Sequence, residues 1–200
     1  MSLREKKKIE TKNKIFEVSG RLFKQKGFGN TTIEEITKEA GIATGTFFNY
    51  FPTKEALLLY FGEQKDELIY SLIESETIRS RSTKDKIKNL LAFLAGSYEK
   101  DKELTKLLVF EYVKYIRFTG LRSDEDKKRS YRLIKMLGDL LEEGVNKGEV
   151  RSTIGVKKAT ETLMAIYFTS LMAWLKSETD YSFSEDISEK IDIVFEGIGS

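Results

Sequence analysis

Two hundred residues, 40% of them apolar and 33% charged, describe a globular chain with room for one large domain or a small one joined to a larger one. Cysteine and histidine are both absent, which excludes disulfides, thiol chemistry, Cys/His zinc sites and a Ser-His-Asp triad, and disfavours catalysis. The formal net charge is only +2 but unevenly spread: residues 1–55 hold 11 Lys/Arg against 7 Asp/Glu, and residues 56–200 hold 23 against 25.

No apolar stretch follows the charged start at Met1–Lys8, and no run reaches the roughly 18 apolar residues of a membrane-spanning helix. The expectation is a cytoplasmic protein without a membrane partner, metal or cofactor. Pro52 is the single proline. Proline breaks helix interiors, so long proline-free stretches rich in Lys, Glu, Leu and Ile point to an all-α chain of about nine helices.

The first helix should begin between Arg4 and Thr11 and run to about Lys26, with Ile15, Val18, Leu22 and Phe23 on one apolar face. Gly27 reads as its C-cap, with Phe28 folding back. Arg4, Lys6, Lys7, Lys8, Lys12 and Lys14 crowd its start, a set suited either to phosphate neutralisation or to a solvated, frayed end. Thr31 and Glu34 have capping-box spacing and open a second helix that carries Ile33 and Ile36 inward. Gly41 supplies the left-handed turn into a short third helix, about Ala43 to Tyr50, anchored by Ile42, Phe47 and Phe51. Pro52 stops that helix and Thr53 caps a fourth, which carries Leu57, Leu58, Phe61, Leu68, Leu72 and Ile73 and can extend to about Arg79. Two short helices joined by a tight glycine turn, on a basic segment, form the helix-turn-helix pattern whose second helix enters the DNA major groove.

Thr83 begins a fifth helix with Ile87, Leu90, Leu91, Leu94 and Tyr98 on one stripe. A sixth, about residues 102–118, is apolar almost all round and reads as buried on most sides. Ser123, followed by Asp124, Glu125 and Asp126, caps a seventh that runs through Tyr131 and Leu141 to about Lys147 and stops at Gly148. The eighth helix spans about Val156 to Lys176, and Ser184 caps the ninth. Tyr167, Leu171 and Trp174 on the eighth, and Ile187, Ile191, Val194 and Phe195 on the ninth, make more apolar surface than one face needs. Either they pack in the monomer core or they form a self-complementary homodimer face, and the sequence favours the face.

Residues Phe23, Gly27-Phe28, Thr31-Thr32, Ile36, Ala40-Gly41-Ile42, Gly45-Thr46-Phe47-Phe48, Tyr50-Phe51 and Thr53-Lys54-Glu55-Ala56-Leu57 resemble the tetracycline-repressor (TetR) family of bacterial transcriptional regulators. The resemblance covers the first 60 or so residues. It implies a DNA-binding domain over 1–54 and a larger helical ligand-binding and dimerisation domain over 55–200. Thr32, Tyr50 and Lys54 are then the candidate phosphate contacts, which position without reading sequence. Thr44, Gly45, Thr46 and Asn49 are the candidate base readers, since threonine offers a hydroxyl and a methyl and asparagine suits adenine. Two departures stand out. Phe48 replaces the usual tyrosine, and Thr37 a common alanine. Because no Arg or Lys lies between Lys38 and Lys54, guanine reading by the third helix is weak.

The resemblance also implies a homodimeric repressor that binds a palindromic operator in double-stranded DNA and releases it when a small-molecule effector enters the second domain. The aromatics of helices four to seven either fill a core or line an apolar pocket for an apolar or amphipathic effector. Phe93, Phe110, Glu111, Tyr115, Phe118 and Tyr131 are the candidate lining. Glu111 either meets a cationic ligand or pairs with Lys114 or Arg117, and Arg117 suits an anionic ligand. A constitutive or protein-regulated DNA-binding protein is the alternative; an enzyme built on Glu111 has no histidine, metal cluster or phosphate loop to support it.

Overall fold

The computed structural model describes residues 2–64, 82–119 and 124–197, with side chains 115–119 and 124–131 outside that description. All regular structure among the described residues is α-helical: α1 (Leu3–Lys26), α2 (Ile33–Ala40), α3 (Thr44–Phe48), α4 (described over 54–64), α5 (Thr83–Glu99), α6 (Lys102–Thr119), α7 (Asp124–Asn146), α8 (Val156–Lys176) and α9 (Phe183–Glu196). They form two compact units, Met1–Gln64 and Lys65–Ser200. No helix of the described residues is long and apolar enough to cross a membrane.

In the first unit Ile15, Val18 and Leu22 of α1 meet Ile36 and Ala40 of α2, Phe47 and Phe51 from α3 and its end, and Leu57 of α4. The 3.6-residue period puts the α1 residues on one stripe, so one helix face closes the core. Phe61 stacks on Phe16 at 4.0 Å between ring centres. That approach is close enough that a Cβ on Gly20 would lie 3.1 Å from the Phe61 ring. Gly41 takes φ 62° and ψ 40°, the left-handed conformation that turns the chain from α2 into α3 within three residues. Thr37 is buried and donates its hydroxyl to the Glu34 carbonyl, which satisfies its polar group.

The α2 cap sits one residue later than the Thr31/Glu34 pairing expected. Thr32 is the N-cap, its Oγ accepting from the Glu35 N–H while the Glu35 carboxylate accepts from the Thr32 N–H. Thr31 is buried instead and donates its hydroxyl to the Gly27 carbonyl.

The second unit is built on Ile87, Leu90, Leu91 and Leu94 of α5, Leu133, Leu137 and Leu141 of α7, and the inner faces of α8 and α9. Trp174 stacks on Phe183 at 5.5 Å. Ser182, not Ser184, caps α9. Ser184 and Ser182 both bond to Glu99 at the end of α5, which also accepts from the Ser184 N–H. Burial alone would raise the Glu99 pKa, but these hydrogen bonds outweigh it and hold the carboxyl below its ordinary value. α6 is not the deeply buried helix its composition suggested. Leu104, Leu107, Leu108 and Phe110 are half-buried and Val113 is exposed. It packs on α5, and Lys102 at its start lies over the Trp174 ring and donates to the Ser177 carbonyl. The Ser123 cap and helix four beyond residue 64 lie outside the described residues.

Candidate nucleic-acid interface

α3 is a five-residue helix held from behind. Phe47 is fully buried, and Phe51 just beyond the helix is nearly so. With that anchor fixed, helical geometry turns Thr44, Gly45, Phe48 and Asn49 to one exposed side. Phe48 is 49% exposed, an unusual position for a large apolar side chain. Its ring meets the edge of Phe47 at 5.6 Å and 88°.

Of the residues expected on this surface, Thr44, Gly45 and Asn49 therefore share one face. Thr46 lies about 200° round the helix from Thr44 and is half-buried. Tyr50 is also half-buried, against the core that contains Phe47 and Phe51. Sequence reasoning treated Phe48 only as a lost hydroxyl and missed it as a surface group. The signal was available: Phe47 and Phe51 are four apart and share the inner face, so Phe48 must point elsewhere.

Thr32 and Lys54 border an open cleft of about 430 Å³ with Thr53 and Phe48. Their polar groups are largely committed within the unit. The Thr32 N–H is taken by Glu35 at 2.9 Å. A direct Lys26 hydrogen bond, then the Thr32 N–H, draw the Glu35 pKa down to about 2, so a full negative charge stands at this helix start. The Lys54 ammonium donates to the carbonyls of Phe28 at 2.8 Å and Thr31 at 2.7 Å and lies over the Phe28 ring. Two of its three protons are thus used to tie α4 to the α1–α2 connection.

The basic residues at the chain start belong to a regular helix rather than a frayed end. Ser2 and Glu5 form a capping box ahead of Arg4, Lys6, Lys7 and Lys8, all exposed. Lys12 lies over the Tyr60 ring at 3.8 Å, and Lys14 reaches the α2–α3 turn at Gly41.

Of the candidate lining in the second unit, the side chains of Phe93, Phe110 and Glu111 are described. Phe93 lies 38% exposed, off the Ile87, Leu91 and Leu94 stripe that enters the core. Glu111 pairs with Lys114 at 2.5 Å, the second of the readings open to it. The side chains of Tyr115, Arg117, Phe118 and Tyr131 lie outside the described residues. Of the expected dimer face, Tyr167, Leu171, Trp174, Ile187 and Ile191 are buried in the unit's own core. Only Val194 and Phe195 keep exposed surface. Those helices instead expose Phe168 and Ile193. A cavity of about 370 Å³ at the ends of α7, α8 and α9, walled by Leu141, Leu163, Val194 and Phe195, carries exposed Arg151 and Lys158. Nothing in the sequence pattern links those residues.

A glycine-turned pair of short helices, backed by a third and set on an all-helical chain, defines the helix-turn-helix class of transcriptional regulators. Residues 15–61 match the family described as "Bacterial regulatory proteins, tetR family". The uncharacterized HTH-type transcriptional regulator YerO of Bacillus subtilis is 35% identical over 109 residues, 52% of this chain and 37% of that protein. The chain thus spans little more than a third of YerO's length. The fatty acid metabolism regulator protein of the same organism is 20% identical over 92% of this chain and 93% of its own. Thermus thermophilus FadR, a TetR-family transcriptional repressor solved in complex with lauroyl-CoA, superposes with a TM-score of 0.72. It is 25% identical, over 94% of this chain and 95% of that one. The chain is thus similar to TetR-family transcriptional regulators, over residues 15–61 by the family match and over most of its length by fold.

Proposed function

We propose that the chain is a cytoplasmic, homodimeric repressor that binds a palindromic DNA operator through α3 and is released by an acyl-CoA effector. The observation that carries the DNA reading is the exposed face of Thr44, Gly45, Phe48 and Asn49, fixed on a rigid core by buried Phe47 and Phe51. A short helix with a solvated, neutral hydrogen-bonding face and a buried aromatic anchor is shaped for a groove, not for interior packing. The exposed lysines of α1 supply the sequence-independent phosphate attraction.

Exposed Phe168, Ile193 and Val194 on α8 and α9 favour pairing of two copies through these helices. A two-fold dimer places its α3 helices about 34–36 Å or a multiple apart, one DNA turn, so the operator is palindromic. The effector class follows from the lauroyl-CoA held by the Thermus thermophilus relative. An effector coupled by about 1–3 kcal/mol weakens DNA binding roughly 5–150-fold.

Selection of bound duplexes from random DNA at two salt concentrations tests this. A palindromic motif is expected, with tighter binding at low salt and release on adding lauroyl-CoA. Enrichment of no motif would refute DNA reading. A motif insensitive to acyl-CoA would leave a DNA-binding protein governed by something else.

A further inference from the structure

We infer that α3 selects A·T base pairs by reading thymine methyl groups, with the Phe48 ring and the Thr44 methyl as the reading surface. The inference rests on the DNA-binding reading and specifies the bases that surface takes. Its first support is chemical: the exposed side of α3 carries no charge. Guanine is commonly read by a bidentate Arg or Lys and cytosine by a carboxylate, and neither type stands on Thr44, Gly45, Phe48 or Asn49. What the face does offer is a methyl, an aromatic ring and one amide.

Geometry is the second support. Thr44 and Phe48 are four apart and lie side by side on the helix surface. Phe48 stays half in water although its neighbour Phe47 is completely buried. The edge-on contact with Phe47 fixes the Phe48 ring outward instead of letting it fold into the core. An apolar group held this way gains only when a partner covers it. Beside it, a Cβ added to Gly45 would meet nothing within 4 Å. Glycine here weakens the helix relative to alanine, yet leaves open space for a groove edge to approach the backbone. In the major groove the one apolar group a base presents is the thymine C5-methyl, and Asn49 on the same face is suited to the paired adenine.

The test removes the methyl from the DNA and the ring from the protein in turn. Thymines of the selected duplex are replaced one at a time by deoxyuridine, which keeps every hydrogen bond and removes only the methyl. Binding of wild type and Phe48→Ala to each duplex is then measured, with circular dichroism to check that the variant is folded. We expect one or two positions per half-site where uracil weakens the wild type about fourfold, the worth of one buried carbon group. At the thymine facing Phe48, the Phe48→Ala variant should bind the thymine and uracil duplexes alike. Equal binding of the wild type to every thymine and uracil duplex would overturn the inference while leaving DNA binding intact. So would a variant as sensitive to uracil as the wild type, or a selected half-site core of G·C pairs. Absence of any selected sequence would remove the DNA reading and this inference together.

Discussion

The Lys54 ammonium sits where it accounts for much of the local geometry. It donates to the carbonyls of Phe28 and Thr31 and covers the Phe28 ring, so it holds the start of α4 against the connection that carries the α2 cap. Hydrogen bonds to a charged group contribute about 1.5–3 kcal/mol, and buried carbonyls left without a donor cost about the same. Lys54→Ala is therefore expected to lower the stability of the protein by about 1.5–3 kcal/mol in urea denaturation. The salt dependence of DNA binding should change little. An unchanged urea midpoint together with a flatter salt dependence would mean that the ammonium clamps phosphate after all.

Glu35 makes the corresponding argument for a whole element, because it closes the capping box of α2 and bonds to Lys26 as well. Its folded pKa of about 2 lies below the ordinary 4.5. A depressed carboxylate contributes stability above its unfolded pKa and loses it as the pH falls through the folded one. The wild type should thus lose stability progressively between about pH 4.5 and 2, and Glu35→Gln should lose less across that window. Parallel acid-unfolding curves for the two proteins would show that the pairing contributes nothing.

The same helix shows what the sequence makes legible. That α2 exists, where Gly41 turns the chain and that α8 runs from Val156 to Lys176 all follow from local pattern, because period and glycine chemistry act within a few residues. The capping residue was less accessible. Thr31 and Thr32 are both competent caps, and Ser182 and Ser184 likewise. The choice falls to distant partners, the Gly27 carbonyl in one case and Glu99 in the other. Burial was misassigned for a related reason. The stripe of Tyr167, Leu171 and Trp174 announces a covered face without saying what covers it, and α5, α7 and α9 prove sufficient. At the candidate site, Thr44 and Asn49 were visible from the motif. The internal bonds of Lys54 were not, since they join residues 23 and 26 apart.

For the molecule as a whole, the residues left over after core packing are the informative ones. Phe168 is 51% exposed on α8 and Ile193 is 49% exposed on α9. A charge placed on such a face leaves the monomer core untouched but opposes a self-complementary contact, where desolvating it is costly. Phe168→Glu should accordingly convert a dimer to a monomer in sedimentation velocity while leaving helical content unchanged, and should weaken binding to a palindrome far more than to a half-site. A variant that sediments as the wild type would place the dimer contact elsewhere.

All of this turns on whether the outward face of α3 reads DNA sequence. Parallel selection of random duplexes by wild type and Asn49→Ala tests it most directly. The wild type should select a palindromic motif, and the variant should lose base preference at the same position in both half-sites. Identical motifs for the two proteins, or no motif for either, would contradict it.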